Sequence, residues 1–229
     1  MSKIGIISDI HGNYPALKAV LNQLDAMNCN QIICLGDSAG YYSMVNECVE
    51  ELIQRNIYSL KGNHDSYLLG ETQCPRSHSV NDCIAYQKKI IKPEYLEWFR
   101  NLKPTYTCAD FYAMHGGFAD PIDEYVRDFD FEEAKKHFTS KVFLSGHTHV
   151  QKLQQDGELV YCNPGSVGQP RDYDSRSAFA VLENGEIKTY RVSYDIDEIA
   201  ENMKKAGFND YYYRNLYEGC KIGESRQRE

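Results

Sequence analysis

The chain has 229 residues, 42% of them hydrophobic and 25% charged, with a formal net charge of −8; this composition fits an ordinary soluble domain of 1–229 built on one large core. The acidic balance excludes broad electrostatic attraction to nucleic acid or an anionic membrane, and no apolar run approaches the length of a membrane span. Eight cysteines form no C-x-x-C pair; with Cys34, Cys48 and Cys162 inside apolar patterns, they read as reduced, mostly buried and cytoplasmic, as does the lack of an apolar leader before Asp9.

In chain order, KIGIIS predicts a first strand. Leu17, Val20, Leu21 and Leu24 then repeat at helical spacing behind Pro15, which predicts an amphipathic helix. QIICLG predicts a second strand, Val45, Cys48, Val49, Leu52 and Ile53 a second helix, and IYSLKG a third strand. That alternation predicts parallel strands joined by right-handed crossovers. Residues 66–103 interrupt it as a helical insertion, with Ser79 to Lys92 and Pro93 to Leu102 as two short helices. It serves as a lid over whatever site lies nearby, or its apolar residues Ile84, Ile91, Leu96, Trp98 and Phe99 pack it onto the sheet. FYAM and VFLSG predict further strands. Asp156-Gly157 and Asn184-Gly185 each separate alternating runs, a hairpin signal that predicts a following antiparallel sheet. IDEIAENMKKAG predicts a last helix. The tail 207–229 is rich in tyrosine and charge, and its last eight or so residues are expected to be disordered.

Polar residues able to ligate a metal stand at the tips of the predicted strands: Asp9 and His11, Asp37, Asn63, His115, then His147 and His149. In open α/β sheets the crevice outside the carboxyl ends of the strands is where ligands bind, so these donors are expected to converge. A carboxylate shared by two cations roughly 3.5–4 Å apart is a recurrent clamp for phosphoryl transfer, and Asp37 is the candidate. Each short motif is weak alone; their ordered co-occurrence carries the reading.

The ordered set Asp9-Ile10-His11, Gly36-Asp37, Gly62-Asn63-His64-Asp65, His115 and Gly146-His147-Thr148-His149 resembles the calcineurin-like metallophosphoesterase superfamily, from residue 3 to about 192. Asn163-Pro164-Gly165-Ser166-Val167-Gly168-Gln169-Pro170-Arg171 is similar to its small bacterial and archaeal phosphodiesterase branch. The resemblance implies a four-layer α/β/β/α sandwich of two mixed sheets with flanking helices. It implies one metal held by Asp9, His11, Asp37 and His149 and a second by Asp37, Asn63, His115 and His147, with a hydroxide between them as nucleophile. His64 matches the family's substrate-contacting histidine, which protonates the leaving oxygen or stabilises the transition state, so His64 and Asp37 are the catalytic candidates.

Asn63, His64, Arg171 and Tyr41 are the substrate-binding candidates. Phosphoprotein phosphatases and dinucleoside tetraphosphatases carry an aspartate and an arginine where Gly40 and Tyr41 stand; Arg171 replaces that arginine or serves as a structural ion-pair partner. Tyr14, Tyr41, Tyr42, Tyr67 and Tyr173 lie near the ligand loops in sequence, and Tyr41 or Tyr42 is a candidate to hold the organic part of a substrate.

The donor set mixes imidazole, carboxylate and an amide oxygen without thiolate, which suits two divalent ions, manganese first, with iron, zinc, nickel or cobalt as alternatives. Imidazoles must be neutral to coordinate, so acid is expected to release metal and activity together. The expected function is hydrolysis of phosphodiesters, with monoesters possible, on a small phosphate ester or nucleotide. The alternatives are a phosphoprotein or dinucleoside polyphosphate phosphatase and a non-catalytic scaffold of the same fold. Homo-oligomerisation is left open, as is the placement of the three consecutive tyrosines on the sheet, at a dimer interface or over the site.

Overall fold

The computed structural model describes residues 3–225. Its first half follows the predicted alternation: β1 (Lys3–Ile7), α1 (Tyr14–Ala26), β2 (Gln31–Cys34), α2 (Val45–Gln54) and β3 (Tyr58–Ser59), with β1 to β2 and β2 to β3 parallel. The start of α1 is fixed by Asn13, whose side chain accepts the Ala16 N–H, and by Pro15 in the first turn, where the missing N–H costs nothing. Then come α3 (Asn63–Leu69), α4 (His78–Ile90), α5 (Pro93–Asn101), β4 (Thr105–Thr107), β5 (Tyr112–Met114), α6 (Phe131–His137), β6 (Val142–Leu144), β7 (Gln151–Asp156), β8 (Leu159–Pro164), β9 (Ser177–Glu183), β10 (Glu186–Val192) and α7 (Ile196–Lys205).

The strands form two mixed sheets, ordered β10-β9-β1-β2-β3 and β4-β5-β6-β8-β7. They face each other across a core that joins Ile4, Ile6, Ile33 and Leu35 of the first to Ala113, Val142, Leu144 and Cys162 of the second. Helices α1 and α2 cover the outer face of the first sheet through Leu17, Leu21, Leu24 and Leu52, which meet Ile7, Phe179 and Val181. Helix α6 covers the second, with Ala134 against Phe129, Phe143 and Tyr161. This is the expected four-layer α/β/β/α sandwich. Strand β9 is buried on both faces, Phe179 and Val181 toward the helices and Ala180 and Leu182 toward the other sheet, which is why its sequence is a continuous apolar run.

Three expectations are corrected. The second half does not make one antiparallel sheet: only the β7–β8 hairpin joins the second sheet, beside parallel β5, β6 and β8, while the β9–β10 hairpin returns to pair β9 antiparallel with β1. A tight turn fixes the pairing within a hairpin, not the sheet that receives it. The Asn63 segment, placed above at a strand tip, is the first turn of α3, because the Asp65 side chain accepts the Gly62 N–H and closes the helix start. The apolar residues of 66–103 pack chiefly on helices, not on the sheet: Val80, Ile84, Ile91, Tyr95 and Phe99 share a cluster with Ile199 and Met203 of α7 and with Tyr213 and Leu216.

The tail is ordered well beyond α7. Two 3-10 turns, Asp210–Tyr212 and Arg214–Tyr217, bury Leu216 and place Tyr212 Oη where it donates to Asp82 at 2.7 Å. The tyrosines thus lie on the helical side, and the backbone N–H of Glu224 still donates to Lys221. The disorder expected of the last eight or so residues is not met at 222–225, where Ile222 packs against the helical cluster; 226–229 lie outside the described residues. All eight cysteines are unpaired, and Cys29 and Cys108 alone are not fully buried. Among the described residues no helix is long and apolar enough to cross a membrane.

Candidate metal centre

The tips of β1 and β2 are tied together by backbone bonds, Asp9 N–H to Gly36 C=O at 3.0 Å and His11 N–H to Asp37 C=O at 2.9 Å. The 163–171 segment runs alongside: Gly168 N–H donates to Asp9 C=O, and Ser166 Oγ donates to the same carbonyl at 2.7 Å. Asp9, His11, Asp37, His147 and His149 all sit at positive φ, between 53° and 66°. Side chains in that region cost of order 1 kcal/mol or more each, and such strain collects at functional sites. Here it turns consecutive side chains of each loop inward to one place.

The structure brings all the sequence-predicted ligands together and buries them. Asp9, His11 and His149 form one group able to hold a cation, and Asp37, His115 and His147 a second. Three imidazoles are oriented the same way: Nδ1 of His11, His115 and His149 donates to the carbonyls of Ala39 (2.9 Å), Leu35 (2.9 Å) and Gln169 (2.7 Å). Carbonyl oxygens only accept, so each neutral ring carries its proton on Nδ1 and points the Nε2 lone pair inward. The lone pairs of His11 and His149 face each other at 3.0 Å. Burial holds both rings far below the usual imidazole pKa, so two neutral acceptors confront one another, an arrangement that a cation between them relieves.

Asp37 stands between the groups. Its Oδ1 accepts the His64 N–H at 2.8 Å. Its Oδ2 is buried without a hydrogen-bond donor, 3.3 Å from His115 Nε2 and 3.8 Å from His11 Nε2. Asn63 Oδ1 is 3.2 Å from His115 Nε2 and His149 Nε2 is 3.3 Å from Asp9 Oδ1. Ligand atoms about 2.1 Å from one ion stand roughly 3.0–3.4 Å apart across tetrahedral or octahedral edges, so most of these spacings suit a metal and the longest need only a small inward shift. His147 Nε2 is also buried without a hydrogen-bond partner. The donor set therefore fits divalent cations.

The electrostatics agree. Burial and the adjacent Asp37 charge push Asp9 up to about 6, against the pull of His115. Burial would raise Asp37 as well, but the imidazoles of His115, His64 and His11 hold it well below the usual carboxylate range. Burial pulls His115 down, yet Asp37 carries it up to about 9. Carboxylates this deeply buried need compensating positive charge, and without a metal the His115 proton supplies it.

His64 projects beside the metal groups. Its ring lies 4.6 Å from that of His11, 4.9 Å from Tyr41 and 5.4 Å from Tyr67. Nδ1 is walled in without a partner, with Gly40 packed against it: a Cβ there would lie 2.7 Å from His64 Nδ1 and collide with His11, at a φ of 131°. A side chain at this position is excluded. Burial pushes His64 down to about 4, so it is neutral at pH 7. It opens with Asn63, Tyr41 and Arg171 onto a cavity of about 410 Å³. Arg171 donates to Tyr41 Oη at 2.8 Å and to Gln169 Oε1, and makes no ion pair among the described residues. Tyr42, the other aromatic candidate, is instead core: it is 1% exposed, its hydroxyl accepting from Gln169 and Asn215. Tyr14 is also away from the cavity, donating to Glu51.

The sequence reading named Asp65 and Tyr67 without their positioning roles and missed Asp123. Asp65 accepts the N–H groups of Asp37, Ala39 and Gly62 at 2.9–3.0 Å and so pins two ligand loops together. Tyr67 Oη accepts from Asn63 Nδ2 at 3.2 Å, which turns the amide oxygen toward the centre. Asp123 Oδ1 lies 3.3 Å from His147 Nε2 and is paired with Arg76; nothing in its loop marks it in sequence.

Gln87, a glutamine on the otherwise apolar face of α4, is fully buried; it accepts from Gly40 N–H at 2.9 Å and donates to the carbonyls of Gly40 and Tyr42. Gln87→Ala leaves three buried backbone groups unpaired and is expected to cost about 3 kcal/mol. Urea denaturation of the variant measures this, and a loss under about 1 kcal/mol would show the staple to be dispensable.

The chain belongs to the calcineurin-like phosphoesterase superfamily, whose domain model matches residues 2–186, and so to the hydrolases of ester bonds. It is 31% identical over 241 residues to an uncharacterized protein of Methanocaldococcus jannaschii, covering 95% of this chain and 98% of the relative. It is 24% identical over 195 residues to phosphodiesterase YfcE of Escherichia coli K12, covering 80% and 89%. Among solved structures, a metallophosphoesterase from Sphaerobacter thermophilus superposes with a TM-score of 0.82 at 29% identity, over 95% of this chain and 99% of the other.

Proposed function

We propose that the protein hydrolyses small phosphodiesters, and monoesters less readily, with two divalent cations sharing Asp37. The carrying observation is the Asp37 carboxylate, one oxygen occupied by the His64 N–H and the other bare between two sets of inward lone pairs. Asp9, His11, Asp37 and His149 would hold one ion, and Asp37, Asn63, His115 and His147 the other. The bound ions would neutralise phosphoryl charge and lower the pKa of a water to supply the nucleophile. Imidazole with oxygen donors and no thiolate favours manganese, with iron, zinc, nickel or cobalt next.

His64, neutral at pH 7, would donate an N–H from Nε2 to a phosphoryl oxygen as charge builds there; this supports transition-state stabilisation over delivery of a proton from an imidazolium. Arg171 and Tyr41 would orient the ester from the cavity wall. The retained His64 argues against a scaffold role, and Gly40 with Tyr41 against the phosphoprotein or dinucleoside polyphosphate phosphatases. The similarity to a protein named a phosphodiesterase points the same way. The test is chelation followed by manganese titration. Hydrolysis of bis(p-nitrophenyl) phosphate is expected to vanish, return with two ions per chain and exceed that of p-nitrophenyl phosphate. A rate indifferent to chelation would overturn the proposal.

A further inference from the structure

The cavity beside His64 carries charge of one sign. Arg76, Arg127, Arg171 and Lys221 line it and no carboxylate does, in a chain with 33 acidic against 25 basic residues. Arg171 sits at the phosphoryl end with Tyr41. The other three arrive from separate segments: Arg76 from the loop before α4, Arg127 from the loop between β5 and α6, and Lys221 from the tail.

Their charges are only partly met locally. Arg76 gives one nitrogen to Asp123 and keeps the rest of its fork, stacked 5.5 Å from the Tyr125 ring. The Lys221 ammonium has its nearest carboxylate, Glu224, at 3.9 Å, beyond hydrogen-bond reach. Arg127 is exposed and pairs with no carboxylate among the described residues. Gathering like charges at a cavity mouth is unfavourable unless an anion occupies it, and a guanidinium fork with an ammonium matches phosphate oxygens. Tyr125, 4.0 Å from the His147 ring and under Arg76, forms the wall between these cations and the metal centre.

We propose that the substrate is a small phosphate ester whose organic portion carries a second phosphate, gripped by Arg127 and Lys221 with Arg76 behind them; this rests on the phosphoesterase reading above. The test uses manganese-loaded protein at fixed ionic strength and thymidine 5′-(p-nitrophenyl phosphate) with and without a 3′-phosphate, following p-nitrophenolate release. The doubly phosphorylated ester is expected to have a kcat/KM about tenfold higher, the worth of one charge-assisted hydrogen bond, with the gain residing in KM. Arg127→Gln and Lys221→Gln are each expected to bring that ratio toward one. A ratio near one in the unaltered protein, a ratio untouched by both substitutions, or an equal loss on both esters would overturn the second-phosphate site. Cleavage of neither ester would instead bring down the phosphoesterase reading.

Discussion

Asp37→Ala is expected to lower kcat/KM for a phosphodiester by about 10⁴-fold or more and to leave a protein that retains at most one manganese ion per chain. The carboxylate's bare Oδ2 is the atom that faces both donor groups, so on the proposed assignment its removal would take a ligand from each ion at once, whereas loss of any other ligand would touch one. Two-metal hydrolysis loses both its clamp and its source of nucleophile when one ion leaves. Asp37→Asn keeps the shape and the acceptor for the His64 N–H but turns an amide toward inward lone pairs, and it is expected to be nearly as damaging. Metal content by elemental analysis, with kcat/KM on the same preparation, checks both. Two tightly held ions in Asp37→Ala would sink the shared-ligand assignment.

The same residue sets a pH signature in the chelated protein. His115, raised from 6.5 to about 9 by Asp37, contributes stability that is fully present below pH 6.5 and lost as pH rises through about 9. Asp37→Asn is expected to flatten that loss. Denaturation midpoints of chelated protein across this window report it.

What was legible in the chain was what short-range chemistry encodes. Apolar runs ending in Asp9, Asp37, Asn63, His115 and His147 announced strand tips, and a sheet gathers tips whatever lies between them. Helix α6 was written locally too, with Asp130 capping Glu133 N–H, acids in the first turn and bases in the last, but seven residues are too few for apolar periodicity to show. Helix α3 is equally short, and its start rests on Asp65 reaching back to Gly62, a capping contact that glycine at the cap position hides. The inward orientation of the ligands was not legible: the left-handed backbone at His147 and His149 opposes local preference and is imposed by the tertiary bonds around it. Gln87 and Asp123 reach the site across 47 and 24 residues of sequence, respectively, to Gly40 and His147. A pattern read along the chain does not contain such contacts.

His64→Ala is expected to lower kcat by about 10²–10⁴-fold while KM changes little and both manganese ions stay. The geometry leaves a real alternative, because His64 also lies close enough to His11 and Asp37 to be counted as a third ligand. Two features argue against ligation. His64 has no carbonyl fixing its Nδ1, unlike the rings of His11, His115 and His149, and that Nδ1 is enclosed beside Gly40. What orients it is packing among His11, Tyr41 and Tyr67, which suits a donor presented to substrate better than a lone pair aimed at an ion. His64→Gln, whose amide nitrogen comes near the position of Nε2, is expected to recover at least tenfold over alanine as a neutral N–H donor. Loss of one metal ion in His64→Ala would make it a ligand. A glutamine variant no better than alanine would remove the neutral-donor role, since proton delivery is the function an amide cannot replace.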